Sequence, residues 1–157
     1  MIDVDETTEI FDEAMTQEDA KEASEGNLVP KGKWPGQVID WTRKVVQTEN
    51  GDHALEGLGV YRVHVEVQTD EGAKHYFIDA CPKTVKATSR KGGTYMRAES
   101  EAAASFYQAT KFYGKPFAEV LAYAQEHILI YQIGIKKATD DYKAANTLRG
   151  ITSPKEG

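Results

Sequence analysis

From Tyr61 to Gln68 the side chains alternate without a break: Tyr61, Val63, Val65 and Val67 are apolar, whereas Arg62, His64, Glu66 and Gln68 are polar. A period of two lays one apolar and one polar face along an extended strand, and a helix cannot gather that pattern into one buried stripe. The chain must therefore build a sheet with one covered face and one wetted face. The turn residues Thr69-Asp70-Glu71-Gly72 follow, and then a second run from Ala73 to Cys81, so the two strands are expected to pair as an antiparallel hairpin. On the second strand His75, Phe77 and Asp79 share one parity, and Tyr76, Ile78 and Ala80 the other. The latter set reads as core, which leaves Phe77 as an exposed ring. The competing rule, that an aromatic in a strand belongs to the core, keeps the alternative open.

The flanks extend the same logic. Gly32 to Gln47 holds Val38, Ile39, Trp41, Val45 and Val46 and is expected to be a long first strand, with Gly36 marking a bend or bulge. The Asn50-Gly51-Asp52 turn chemistry predicts a loop from Gln47 to Gly57. Pro82 to Arg97 lacks apolar periodicity and contains Gly92-Gly93, so it is expected to be a mobile excursion. Ala102, Phe106, Ala109 and Tyr113 recur at helical spacing, with Ser100 as N-cap and Gly114 as stop. Pro116 suits the first turn of a second short helix, in which Phe117, Val120, Leu121 and Ala124 form one face. His127 to Ile135 is apolar on both parities, as in a strand covered on both faces, and a last strand is expected from Tyr142 to Ile151.

Three strands, a helical insertion and two further strands predict a mainly β fold. The specific expectation is a five-stranded OB-fold, a small closed β-barrel with a one- or two-piece helix between strands three and four plugging one end. An α+β sheet with helices packed on one face has the same order of elements and remains the alternative.

Charge divides the 157 residues unevenly. Asp and Glu number 25 against 19 Lys and Arg, for a net charge of -6. Residues 1–26 hold ten of those acids and a single base, Lys21, so they carry -9 and the remainder carries +3. Such an acidic segment is poor in core formers and is expected to be a disordered tail, with the folded domain over 27–154. Within it Ile10, Phe11, Ala14 and Met15 would form one apolar patch if the segment turned helical on a partner; an accidental cluster is the other reading. No run of apolar residues is long enough to span a bilayer, the first residues are acidic, and Cys81 is the only cysteine. These features point to a cytoplasmic protein without a membrane partner, a disulfide framework or a multi-cysteine zinc site.

The most chemically suggestive stretch is Pro82 to Arg97. It contains Lys83, Lys86, Arg90, Lys91, Arg97 and Tyr95 and no acid. Pliable cations beside an aromatic suit a phosphate backbone with bases stacking on rings, the basis of sequence-independent single-strand binding. An ordinary solvated loop would collect similar residues. Arg62 and His64 should share the outward face with Phe77, and Trp41 with Arg43 and Lys44 poses the same choice on strand one, where a bulge would invert the parity. No phosphate-binding glycine loop, His-Glu-x-x-His, nucleophile elbow or two-metal acidic pair is present, so neither catalysis nor a cofactor nor a metal is expected. Convergence of His64, His75, Asp79 and Cys81 into a metal or acid–base site is the minor alternative.

Lys31-Gly32-Lys33-Trp34-Pro35-Gly36-Gln37-Val38, the Tyr61 to Val67 strand, the helical insertion and Ala145-Asn146-Thr147-Leu148-Arg149-Gly150-Ile151 together resemble bacteriophage OB-fold proteins of replication and recombination. The chain is similar to phage single-stranded DNA-binding proteins over roughly residues 28–154. That resemblance implies single-stranded DNA as ligand, the cytoplasm of an infected bacterium as location, and a replication or recombination protein as partner of the acidic tail. Self-association through Ile133, Ile135 or the helix surface stays open. Unlike typical members, this chain carries its acidic segment at the N-terminus. The alternative function is a protein-interaction module that binds and modulates a host enzyme.

Overall fold

The computed structural model describes residues 14–18, 28–140 and 143–154. The chain divides into two compact units, residues 1–28 with 136–145 and residues 29–135 with 146–157. The second unit carries the fold. Its elements in chain order are β1 (Gly32–Val45), β2 (Gly59–Thr69), β3 (Gly72–Ala80), β4 (Lys86–Thr88), β5 (Thr94–Met96), α1 (Ala98–Thr110), α2 (Phe117–Glu126), β6 (Leu129–Lys136) and β7 (Ala145–Thr152), except that the terminal residues Lys136 and Ala145 are assigned to the first unit. Five strands form one sheet in the order β3-β2-β1-β6-β7, and β4 and β5 pair separately. The fold is mainly β with two helices inserted between β5 and β6.

The expected closed barrel is not formed, because β3 and β7 are the two edges of an open sheet. Closure would need a ladder between them. Instead the chain leaves β3 at Cys81, whose amide donates to the Glu99 carbonyl at the start of α1 (2.9 Å), and α1 packs against β3. A helix thus flanks the strand that closure would have required, one of the ways a sheet edge is covered.

The hairpin of β2 and β3 follows the alternation. Val63, Val65 and Val67 are fully buried and pair across with Ile78, Tyr76 and Lys74. Thr69 faces Gly72 across the two-residue turn, and its hydroxyl donates to the Gly72 carbonyl (2.8 Å) while accepting from the Glu71 amide (3.1 Å). Phe106 of α1, Phe117, Val120 and Leu121 of α2, and Leu129, Tyr131 and Ile133 of β6 complete the core against the apolar face. Burying such side chains is the main favourable term in folding, roughly 1.5–3 kcal/mol for each large one.

β1 serves two partners. It pairs with β6 from Gly32 to Gly36 and with β2 from Gly36 to Val45, so Gly36 alone is shared. A Cβ there would stand 2.7 Å from Val67 Cγ1, 2.8 Å from the Glu66 carbonyl oxygen and 3.2 Å from Tyr131 Cδ2. Only glycine leaves room for the Val67 and Tyr131 side chains and the Glu66 carbonyl to close on β1 at this point. The bulge, however, lies one turn of the pleat later, where the register skips Ile39 between Val38 and Asp40. That extra residue inverts the parity of β1, so that Trp41 instead of Asp40 takes the core side, opposite Val63.

Several boundaries differ from the sequence reading. Pro82 to Arg97 is not an unstructured excursion: β4 and β5 make a hairpin whose turn is held by Ser89 N–H to the Gly93 carbonyl (2.7 Å) and Gly92 N–H to the Ser89 carbonyl (3.0 Å). Ser100 is not the N-cap of α1; Arg97 occupies that position, and Ser100 is buried one turn inside. The helix ends at Lys111 in the left-handed region (φ 63°) instead of at Gly114, and Tyr113 is exposed. β6 is fully covered on one face only: Leu129, Tyr131 and Ile133 are buried, whereas on the other parity Gly134 is buried, Ile130 is half-buried, and Gln132 and Lys136 are exposed. The last strand begins at Ala145. Most of the expected acidic tail, with Ile10 and Phe11, lies outside the described residues, while Ala14 and Met15 are exposed. Among the described residues no helix is long and apolar enough to cross a membrane.

Candidate nucleic-acid interface

The polar parity of β2 and β3 forms the sheet face turned away from the core. Strand register places Arg62 opposite Asp79, His64 opposite Phe77 and Glu66 opposite His75, and β1 adds Asp40 beside His64 and Thr42 beside Arg62. The Phe77 ring stacks on His64 with centroids 4.5 Å apart and planes at 18°. The Arg62 guanidinium lies 5.0 Å from the Phe77 centroid and 3.5 Å from the Asp79 carboxylate. His64 Nε2 and His75 Nδ1 are 2.8 Å apart, so one ring nitrogen donates and the other accepts. His64 Nδ1 faces Asp40 at 3.6 Å.

Phe77 remains 49% exposed despite this company. Leaving an aromatic surface in water forgoes burial, yet the ring is held in a defined orientation by its cross-strand partner. A flat ring flanked by a guanidinium is a platform for another flat, electron-rich ring.

Beside Arg62 and Asp79 opens a cavity of about 480 Å³, whose floor includes Leu55 and Val60 and whose rim includes Lys44, His53 and Glu99. Leu55, Val60 and Cys81 form a second small buried cluster on this outer face, against which Val85 packs. Val85 adjoins β4. This cluster therefore fixes the base of the basic hairpin to the same end of the sheet face as Arg62.

The hairpin is anchored by Ser100. Its hydroxyl accepts from the Val85 amide (3.1 Å) and donates to the Lys83 carbonyl (2.8 Å), and the Arg97 amide donates to the Val85 carbonyl (3.0 Å). Lys83, Lys86, Arg90 and Lys91 are exposed, as is Tyr95 at 53%. Tyr95 opposes Ala87, whereas Lys86 opposes Met96, so ring and ammonium leave opposite faces of the ribbon. Arg97 differs from the other cations. It is half-buried, with Nε 3.4 Å from a Glu99 carboxylate oxygen.

Two groups of the expected residues are thus brought together: Arg62, His64 and Phe77 on the sheet, and Lys83, Lys86, Arg90, Lys91 and Tyr95 on the ribbon. Trp41 is not an open platform like Phe77, because the bulge turns it to the core side, half-buried against the core cluster. Arg43 shares that side opposite Tyr61, and Lys44 reaches the cavity rim. Of the four residues weighed as a metal or acid–base site, only His64 and His75 meet; Asp79 pairs with Arg62 and Cys81 is buried. Asp40, His75 and Asp79 complete the sheet cluster without having been singled out as binding residues. Parity with Phe77 marks the last two in the sequence, and the unmarked bulge hides the first. With Glu66, these carboxylates leave the sheet face mixed in charge, and the cationic excess rests on the hairpin. Comparison with protein-family models, curated proteins and solved structures finds no match for this chain.

Proposed function

We propose that the protein is a non-catalytic single-stranded DNA-binding protein of the bacteriophage replication and recombination type, using an OB-like sheet opened between its third and last main strands. The observation that carries this reading is the Phe77 ring, held half-exposed against His64 with the Arg62 guanidinium beside it. Bases stack on such rings whatever their identity, and the lysines and arginines of the hairpin neutralise phosphates as the strand passes. Strand connectivity adds support, since the first strand pairs with the second and fourth of the five-stranded sheet and the helices enter after the third, as in OB-folds that bind oligonucleotides.

Fluorescence anisotropy of a labelled oligo-dT tests the proposal. Binding should saturate and weaken steeply with salt. Phe77→Ala should lose about 1–3 kcal/mol of binding while leaving the salt dependence unchanged, because a stacked base carries no counterion. Replacing Lys86, Arg90 and Lys91 together with Ala should instead flatten the log–log salt slope, by about 0.7 for each phosphate no longer contacted. An oligonucleotide that fails to bind at low salt would overturn the proposal. It would also favour the second reading, a module that binds and modulates a host enzyme, for which Asp40, Glu66 and Asp79 on the sheet face already speak.

A further inference from the structure

A cationic concavity, separate from the mixed-charge cavity beside Arg62, lies where β1 begins, at its junction with β6 and β7. Its volume is about 350 Å³, and Lys31, Lys33, Gln132 and Arg149 supply its polar lining with no acidic residue among them. Among the described residues no carboxylate pairs with any of these three cations. Like charges gathered without a counterion repel one another, and that repulsion is relieved when an anion enters.

The arrangement is fixed by specific bonds. Asn146 Oδ1 accepts from the Val29 amide (2.8 Å), and Asn146 Nδ2 donates to the Val29 carbonyl (2.7 Å) and to the Gly134 carbonyl (3.2 Å). Trp34 Nε1 donates to the Pro30 carbonyl (2.7 Å). Together these bonds hold the segment from Val29 to Trp34 on β6, with Lys33 opposite Gln132. Two residues further along β6 and on the same parity is Gly134, where a Cβ would come 3.0 Å from Arg149 Nε. The missing side chain is the notch across which Arg149 lies, bringing its guanidinium to the same side of the sheet as Lys33. A planar guanidinium with two ammonium groups and an amide suits a phosphate, which takes paired N–H donors on two oxygens.

We infer that this concavity is a phosphate-binding site. On the function proposed above, its occupant is a phosphodiester of the bound strand, contacted at a point separate from the hairpin. The inference rests on that reading only for the source of the phosphate.

Two arms decide it, using the full chain and the charge-matched pair K74Q/K115Q as control. In the first, oligo-dT binding is followed against salt for wild type, K33Q/R149Q and G134A. The double variant should lose affinity severalfold and flatten the salt slope by about 0.7 for each lost phosphate contact. G134A, which keeps every charge but adds a Cβ 3.0 Å from both Arg149 Nε and Thr147 Oγ1 and so crowds the guanidinium, should fall between wild type and the double variant. In the second arm, inorganic phosphate is titrated while amide shifts of Gly32, Lys33 and Gly134 are read by NMR, and these should saturate in wild type and not in K33Q/R149Q. If wild type binds oligo-dT and K33Q/R149Q behaves like the control, the inference is overturned and the proposed function stands. Should oligo-dT fail to bind while phosphate still moves these amides, the site stands with a free phosphate as its ligand and the proposed function falls. Response to neither probe overturns the inference.

Discussion

Tyr131 and Tyr76 show how single groups tie the core to pH. Burial pushes the Tyr76 phenol from 10.0 up to about 12, and burial also pushes the Tyr131 phenol up. The folded chain therefore keeps both protons to higher pH than the unfolded chain does. Their contribution is whole below pH 10, the value in the unfolded state, and is lost as pH rises through the interval toward about 12. Melting temperature should hold steady to about pH 9 and then drop, and Tyr76→Phe should shallow the drop. Tyr131→Phe separates burial from bonding. Its hydroxyl is buried and has no hydrogen-bond partner among the described residues. Removing it should leave stability at neutral pH unchanged or raise it by about 1 kcal/mol, because an unsatisfied polar group is expensive to desolvate. A clear loss in chemical denaturation would show that the hydroxyl has a partner after all.

Elements depend on residues that belong to their neighbours, and the β4–β5 ribbon is the clearest instance. Each strand is three residues long with no buried face, so the ribbon cannot hold itself together; Ser100 of α1 satisfies the Val85 amide and Lys83 carbonyl at its base. Ser100→Ala should leave two part-buried backbone groups unpaired, costing about 1–3 kcal/mol. Hydrogen exchange should locate the damage, with the Val85 and Arg97 amides losing protection before those of β2. The same ribbon explains why parts of the fold were legible in the sequence and others were not. β2 was readable because one face is dry and the other wet, which writes a period of two into the residues. A ribbon wet on both faces writes none, leaving only Gly92-Gly93 to mark its turn. The bulge at Ile39 was unreadable because neither glycine nor proline marks it, and so the side that Trp41 takes could not be fixed. Gly36 reads as a bend or bulge, but the bulge lies at Ile39, and what Gly36 provides is room for Val67, Glu66 and Tyr131 to close on β1. β6 reads as covered on both faces because its second parity is apolar at Ile128 and Ile130, yet Ile128 is exposed and Ile130 only half-buried. Phe77 is a split case: parity puts it on the outward face, where the structure has it because no bulge interrupts β3 before it, while the rule that strand aromatics belong to the core points the other way.

At the scale of the whole molecule the unequal distribution of charge governs encounter with any polyanion. The chain as a whole carries -6, yet without residues 1–26 it would carry +3. A negatively charged protein is repelled by DNA until the two are close enough for the local cations of the hairpin to dominate. That approach is long-range and so is screened by salt, over about 10 Å at 0.1 M. On the proposed function, stacking of a base on Phe77 would be short-range and escape that screening. Removing residues 1–26 should therefore raise affinity for oligo-dT at low ionic strength, mostly through faster association. The advantage should shrink as salt rises, until the two proteins bind alike once screening falls to about 3 Å near 1 M. Stopped-flow association rates across a salt series give the readout. Equal rates at every salt concentration would mean that the acidic segment neither repels the strand nor competes for the hairpin, leaving recruitment of a partner as its role.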